Sequence, residues 1–161
     1  MANSLILYYS ATGTTKTIAE KIAQQLNTDV AEIHPAQSYT DADLNWHDPQ
    51  SRTSIEQHQH ARRVAIQDDL PDINQYDNIL IGHPIWWAIP PRLIATTIDH
   101  LDLNGKHFAS FATSGGTNYD RSQNNIERTI KENNYNVILN QGAVLNNDAQ
   151  IENWLKTLNL A

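Results

Sequence analysis

The chain has 161 residues, 40% of them hydrophobic and 18% charged, which suits one compact core better than two domains. Eighteen acidic against eleven basic side chains leave a formal charge of −7; such a surface repels phosphate backbones unless basic residues are segregated, and no basic run stands out, so no nucleic-acid partner is expected. Cysteine is absent, which excludes disulfides, thiolate metal sites and cysteine nucleophiles and leaves redox chemistry to a borrowed cofactor.

At the amino end, Met1-Ala2-Asn3-Ser4 lacks the basic region and cleavage site of a leader. No apolar run approaches the roughly 20 residues of a membrane span, so the expectation is a cytoplasmic chain without a membrane span. Residues 5–9 (Leu-Ile-Leu-Tyr-Tyr) form a continuous apolar run, the pattern of a strand buried on both faces. Ile18, Ile22 and Leu26 then recur every four residues beside Ala19 and Ala23, which predicts an amphipathic helix. A second strand is read over 28–33. The polar stretch from His34 to Asn74 is longer than an ordinary connection and is expected to hold one helix near 54–66 and a surface loop. Further strands are predicted at 76–82, 107–113 and 136–145. Helices are predicted around Leu93 to Leu101 after Pro90-Pro91, around Ile126 and Ile130, and from Ile151 to Leu158. Strands alternating with helices of this size give an α/β fold, a doubly wound five-stranded parallel sheet with helices on both faces, as a single domain over 1–161.

Ligands of such sheets bind beyond the carboxyl ends of the strands. After the first strand comes Ser10-Ala11-Thr12-Gly13-Thr14-Thr15, leading straight into a helix. Unpaired N–H groups, the positive end of the helix dipole and flanking hydroxyls make this a cradle for a phosphate monoester, where an ordinary cap would need one hydroxyl. The chain has no G-x-G-x-x-G, no P-loop, and no G-x-S-x-G around Ser110 or Ser114, which disfavours a dinucleotide as the main ligand, NTPase chemistry and serine hydrolysis. Gly82-His83 stands where a receiver domain would need its phosphorylatable Asp.

After the third strand, Pro84-Ile85-Trp86-Trp87 precedes Ala88-Ile89-Pro90-Pro91, a rigid aromatic surface on which a planar ring could stack, or an edge cover or oligomer contact. After the fourth, Thr113-Ser114-Gly115-Gly116 offers backbone donors to a heterocycle. Gly13, Gly82, Gly115 and Gly116 all fall in these three loops on this reading, as if for close backbone approach. Among His47, His58, His60 and Glu56, the spacing of Glu56 and His60 suits one helix face but that of His58 and His60 does not, and no metal site is assigned. Trp46 either closes over the ligand or anchors the long loop to the body. His83 either meets the ligand's edge or caps the strand end.

Together these motifs resemble the flavodoxin-like family, in particular short-chain bacterial flavodoxins. Residues 10–15 resemble its (T/S)-x-T-G-x-T phosphate motif, and the Pro-Ile-Trp-Trp and Thr-Ser-Gly-Gly segments resemble a bacterial subgroup. The resemblance implies strand order 2-1-3-4-5 and FMN as cofactor. It implies phosphate held by Ser10, Ala11, Thr12, Gly13, Thr14 and Thr15, and the flavin bordered by Pro84, Ile85, Trp86 and Trp87. Thr113, Ser114, Gly115 and Gly116 would face the pyrimidine edge, with Tyr119 a ring neighbour. Many flavodoxins flip a peptide beside the flavin, frequently at a glycine; Ala88 in the matching stretch makes a flip costlier. Two functions follow from the resemblance: an electron carrier between redox partner proteins, steered by the acidic surface, or an FMN-dependent NAD(P)H:quinone reductase acting on a small acceptor, with no catalytic side chain assigned.

Overall fold

A computed structural model describes residues 3–161; Met1 and Ala2, on which the expectation about a leader partly rests, lie outside the described residues. The elements are β1 (Ser4–Tyr8), α1 (Thr14–Leu26), β2 (Asp29–Glu32), α2 (Arg52–His58), β3 (Asn78–Pro84), α3 (Arg92–Asp99), β4 (His107–Thr113), α4 (Asp120–Glu132), β5 (Ile138–Leu139), β6 (Ala143–Val144) and α5 (Asp148–Leu155). The strands form one parallel sheet in the order β2-β1-β3-β4-β5, and β6 also pairs with β4.

The alternation of side chains along a strand divides the core into two. Leu5, Leu7, Ile79 and Ile81 pack on one face with Leu93, Ile94 and Ile98 of α3 and Ile126 and Ile130 of α4. Ile6, Tyr8, Leu80, Ala109 and Phe111 pack on the other with Ile18, Ala19 and Ile22 of α1 and Ile151 and Trp154 of α5. A wholly buried Leu or Ile contributes about 1.5–3 kcal/mol, so β1 and β3, buried from both sides, form the rigid centre from which the ligand-side loops project. The edge strand β2 is short and carries Asp29 and Glu32 exposed, which blunts edge-to-edge pairing.

Three elements differ from the sequence reading. The helix expected near 54–66 stops at His58; Ala61 takes a left-handed φ of 58°, and the chain then runs extended so that Ile66 bridges Pro35 in antiparallel fashion. The strand expected over 136–145 is interrupted between β5 and β6, because Asn140 and Gln123 take over its bonding: the Asn140 amide donates to Phe108 O at 3.1 Å, and Gln123 Oε1 accepts from Gly142 N at 2.8 Å. The third strand is displaced two residues toward the carboxyl end, so Gly82 lies inside β3 and not in a ligand loop. Its missing side chain serves packing. A Cβ there would stand 2.4 Å from the Phe111 ring, its register partner on β4.

Candidate functional site

The carboxyl ends of β1, β3 and β4 are adjacent, with Pro84 opposite Thr113, so three loops converge. In the first, Gly13 caps α1 with φ 93°, a left-handed conformation that only glycine adopts cheaply. No side chain caps the helix and its first turn holds no acidic residue, so the N–H groups of Thr14, Thr15 and Lys16 lack intrahelical partners. Ser10 Oγ accepts from Gly13 N at 3.0 Å and folds the loop back on itself. Thr12 and Thr14 are exposed, their hydroxyls 3.4 Å apart, and nothing lies near the space a Gly13 Cβ would occupy. Thr15 differs. It is buried, its hydroxyl 2.8 Å from that of Thr113, and so ties this loop to the one beyond β4.

The second loop is a tight turn. Trp86 and Ile89 exchange backbone hydrogen bonds (2.9 and 3.3 Å), with Trp87 at φ 53° and Ala88 at φ 68° between them. Left-handed backbone costs a residue with a side chain about 1–2 kcal/mol. Partners from two other elements hold it: Gln57 Nε2 donates to Trp86 O at 3.0 Å and to Pro90 O at 3.1 Å, and Ser122 Oγ donates to Ala88 O at 3.3 Å. The two tryptophans differ in setting. Trp86 stands edge-on to Tyr9 and Tyr39, at 5.9 and 5.4 Å between centroids, and packs against the core; Trp87 meets the His58 ring at 5.3 Å. Between this turn and the first loop opens a cleft of about 440 Å³, bordered by Ala11, Thr12, Ile85, Trp86 and Trp87 and, from the long connection, Leu44, Trp46 and Thr53.

Trp46 is therefore a wall of the cleft. It is 65% exposed and stacks on His47 at 3.7 Å. The long connection is anchored instead by polar contacts: Thr53 Oγ1 donates to Asp43 O, Ser54 Oγ donates to Asp48 O (both 2.7 Å), and Arg52 lies over the Tyr39 ring and pairs with buried Glu56 at 2.8 Å. Glu56 also accepts from the Tyr39 hydroxyl at 2.6 Å. Of these only Trp46 was singled out from the sequence, as lid or anchor; Leu44 and Thr53 were not, since nothing local in the polar stretch shows which of its side chains turn inward.

The third loop is partly self-satisfied. Ser114 Oγ accepts from Thr117 N at 3.1 Å and Gly116 N at 3.4 Å, while Asn146 clamps the Ser114 backbone at 2.9 and 3.4 Å. Gly115 is exposed with open space around it, and its N–H has no bond among the described residues. Tyr119 lies inside the fold: its ring fills the space a Gly142 side chain would need, and its hydroxyl is 2.6 Å from Ser110 Oγ and 2.8 Å from His83 Nε2. His83 is wholly buried and donates from Nδ1 to Pro84 O at 2.8 Å. A carbonyl only accepts, so Nδ1 carries the ring proton and Nε2 is the bare nitrogen facing the Tyr119 hydroxyl. Burial lowers the imidazole to about 4 and pushes the phenol up. Both are structural and neutral.

The structure thus brings residues 10–15, 84–87 and 113–116 to one end of the sheet and leaves Tyr119 beneath it. The chain matches the family model for flavodoxin over residues 3–158. Among solved structures it is similar to a protein of Bacteroides eggerthii assigned as a flavoprotein (37% identity, all of both chains covered, TM-score 0.91). It is also similar to one of Bacteroides uniformis (36%, 96% and 98% covered, TM-score 0.88). A flavoprotein of Lactobacillus acidophilus in complex with FMN matches at 29% identity over 96% of this chain and 99% of the other, with a TM-score of 0.68. No curated protein matches significantly.

Proposed function

The chain belongs to the flavodoxin family, and on that premise we propose that it binds FMN and carries electrons between protein partners in the cytoplasm. One observation carries the reading: the uncapped amino end of α1, with free N–H groups, exposed Thr12 and Thr14 and no acid in its first turn, opens beside a cleft walled by tryptophans. These residues fit the group. The hydroxyls of Ser10, Thr12 and Thr14 and the N–H groups of Thr14 and Thr15 present donors to a phosphate, and Gly13 leaves it room. Trp46, Trp86 and Trp87 exclude water from a flat ring and can stack on it, and the Gly115 N–H is free for a carbonyl of the pyrimidine edge. When bound, FMN supplies the electron-carrying chemistry; the chain's part is to bind, orient and shield it. His83 keeps its ring out of proton transfer, having both nitrogens engaged within the core.

The net charge of −7 suits association with basic partners, and raising salt then slows electron transfer to them. The deciding experiment is FMN binding followed by flavin fluorescence, then a spectroelectrochemical titration with a parallel assay of NADH and NADPH oxidation. Two resolved one-electron potentials without nicotinamide oxidation support the carrier. Direct reduction by NADH or NADPH supports the reductase alternative instead, and failure to bind FMN overturns both.

A further inference from the structure

A cavity larger than the aromatic cleft lies beside it. It holds about 830 Å³ on the other side of the 86–89 turn, and the two share only Trp87 among their lining residues. Arg92, Arg121 and Arg128 line it, three of the six arginines in a chain of charge −7, and no carboxylate is among its lining residues. Two of the other three arginines find acids: Arg52 pairs with Asp43 and Glu56, Arg63 with Asp99 and Glu132, while Arg62 bonds Gln59. The three in the cavity form no ion pair among the described residues.

Their arrangement is ordered. Arg121, Asn124, Asn125 and Arg128 follow i, i+3, i+4, i+7 on α4 and form one face of that helix. That face offers hydrogen-bond donors along about 10 Å. Arg128 Nε is enclosed with no partner among the described residues, a desolvated donor that an acceptor in the cavity would satisfy. Across from α4, Arg92 is buried with its Nε and Nη2 on Glu56 O and Gln57 O. Burial, then the charges of Arg128 and Arg63, pull its guanidinium below the ordinary arginine value, a strain of like charge that an anion would relieve.

We propose that this cavity is a binding site for a phosphorylated small molecule carrying two or more linked phosphoryl groups, a diphosphate above all, held by Arg121 and Arg128. Guanidinium forks match phosphate oxygens two by two. Two forks on one helix face, with side chains long enough to converge, suit two linked phosphoryl groups better than a single small anion, and the volume admits an organic group beyond them, against Trp87.

The test is a titration of the chain with inorganic pyrophosphate, ADP and adenosine at fixed ionic strength, read by NMR at the arginine side-chain Nε–H signals and at the backbone amides. Saturable shifts of Arg121 and Arg128 by pyrophosphate and ADP, none by adenosine, and about tenfold weaker binding in each of Arg121→Gln and Arg128→Gln are expected. Arg121 is exposed and Arg128 half-buried on α4, neither bonds the Arg92 partners, and urea unfolding of each variant checks that it folds. Absence of saturable shifts, adenosine binding as well as ADP, or shifts confined to the Thr14, Thr15 and Lys16 amides and unchanged in both variants would each overturn the proposal. The last outcome would assign the anion to the α1 loop instead.

Discussion

Replacing His83 by Gln tests the reading of the buried His83–Tyr119–Ser110 chain through its pH dependence. Folding lowers the imidazole from 6.5 to about 4, so the unfolded chain binds a proton that the folded one refuses. A depressed value for a base means that its stability is fully present above the unfolded value and is lost as pH falls toward the folded one. The shift corresponds to about 3 kcal/mol in all, of which about 2 kcal/mol is gone by about pH 5, with a slope approaching 1.4 kcal/mol per pH unit between the two values. Urea unfolding of the native chain and His83→Gln is measured from neutral pH down to about pH 4. Other histidines and carboxylates titrate in both proteins and cancel in the difference. The gap between the two stabilities should be widest near neutrality and close by about 3 kcal/mol on acidification. Parallel curves would refute the assignment of a neutral, doubly bonded imidazole to this position.

Gly82→Ala should cost about 1–3 kcal/mol in urea unfolding, because its methyl would collide with the Phe111 ring, and Phe111→Leu should recover part of that loss. Thr12→Val should weaken FMN binding about tenfold by fluorescence titration, with stability unchanged because the hydroxyl is exposed. Trp86→Ala should lower stability by about 2 kcal/mol through its lost contacts with Tyr9 and Tyr39. Trp87→Ala should shift flavin absorbance and potential at smaller cost, and equal thermal stabilities of the two variants would remove the distinction drawn between them.

The strands were legible where burial is continuous. Residues 107–113 coincide with β4, since an apolar run with no competing helical period leaves little choice. The interruption between β5 and β6 was not legible, because part of its cause, the Gln123 side chain bonded to Gly142 N, lies 19 residues away in sequence. The helix over 54–66 was read too long because polar side chains there fit a solvated helix as well as an extended strand; pairing with residues 34–36 decided the matter. The ligand loops were found from glycine and hydroxyl spacing, yet Gly82 was grouped with them for want of any sign that Phe111 stands across the sheet. The arginines of the large cavity escaped for a similar reason: Arg92 sits 29 positions before Arg121, and only the packing of α3 against α4 makes a cluster of them.

Trp87 forms a wall of both the aromatic cleft and the arginine-lined cavity, on a turn held in a costly backbone conformation. Two chambers with a common partition cannot be filled independently if either occupant moves that partition. Whatever factor a guest on one side imposes on affinity at the other, the second guest imposes the same factor in return. The partition would thus act as a thermodynamic hinge between charge recognition and ring stacking, its stored strain setting how far one can be traded against the other.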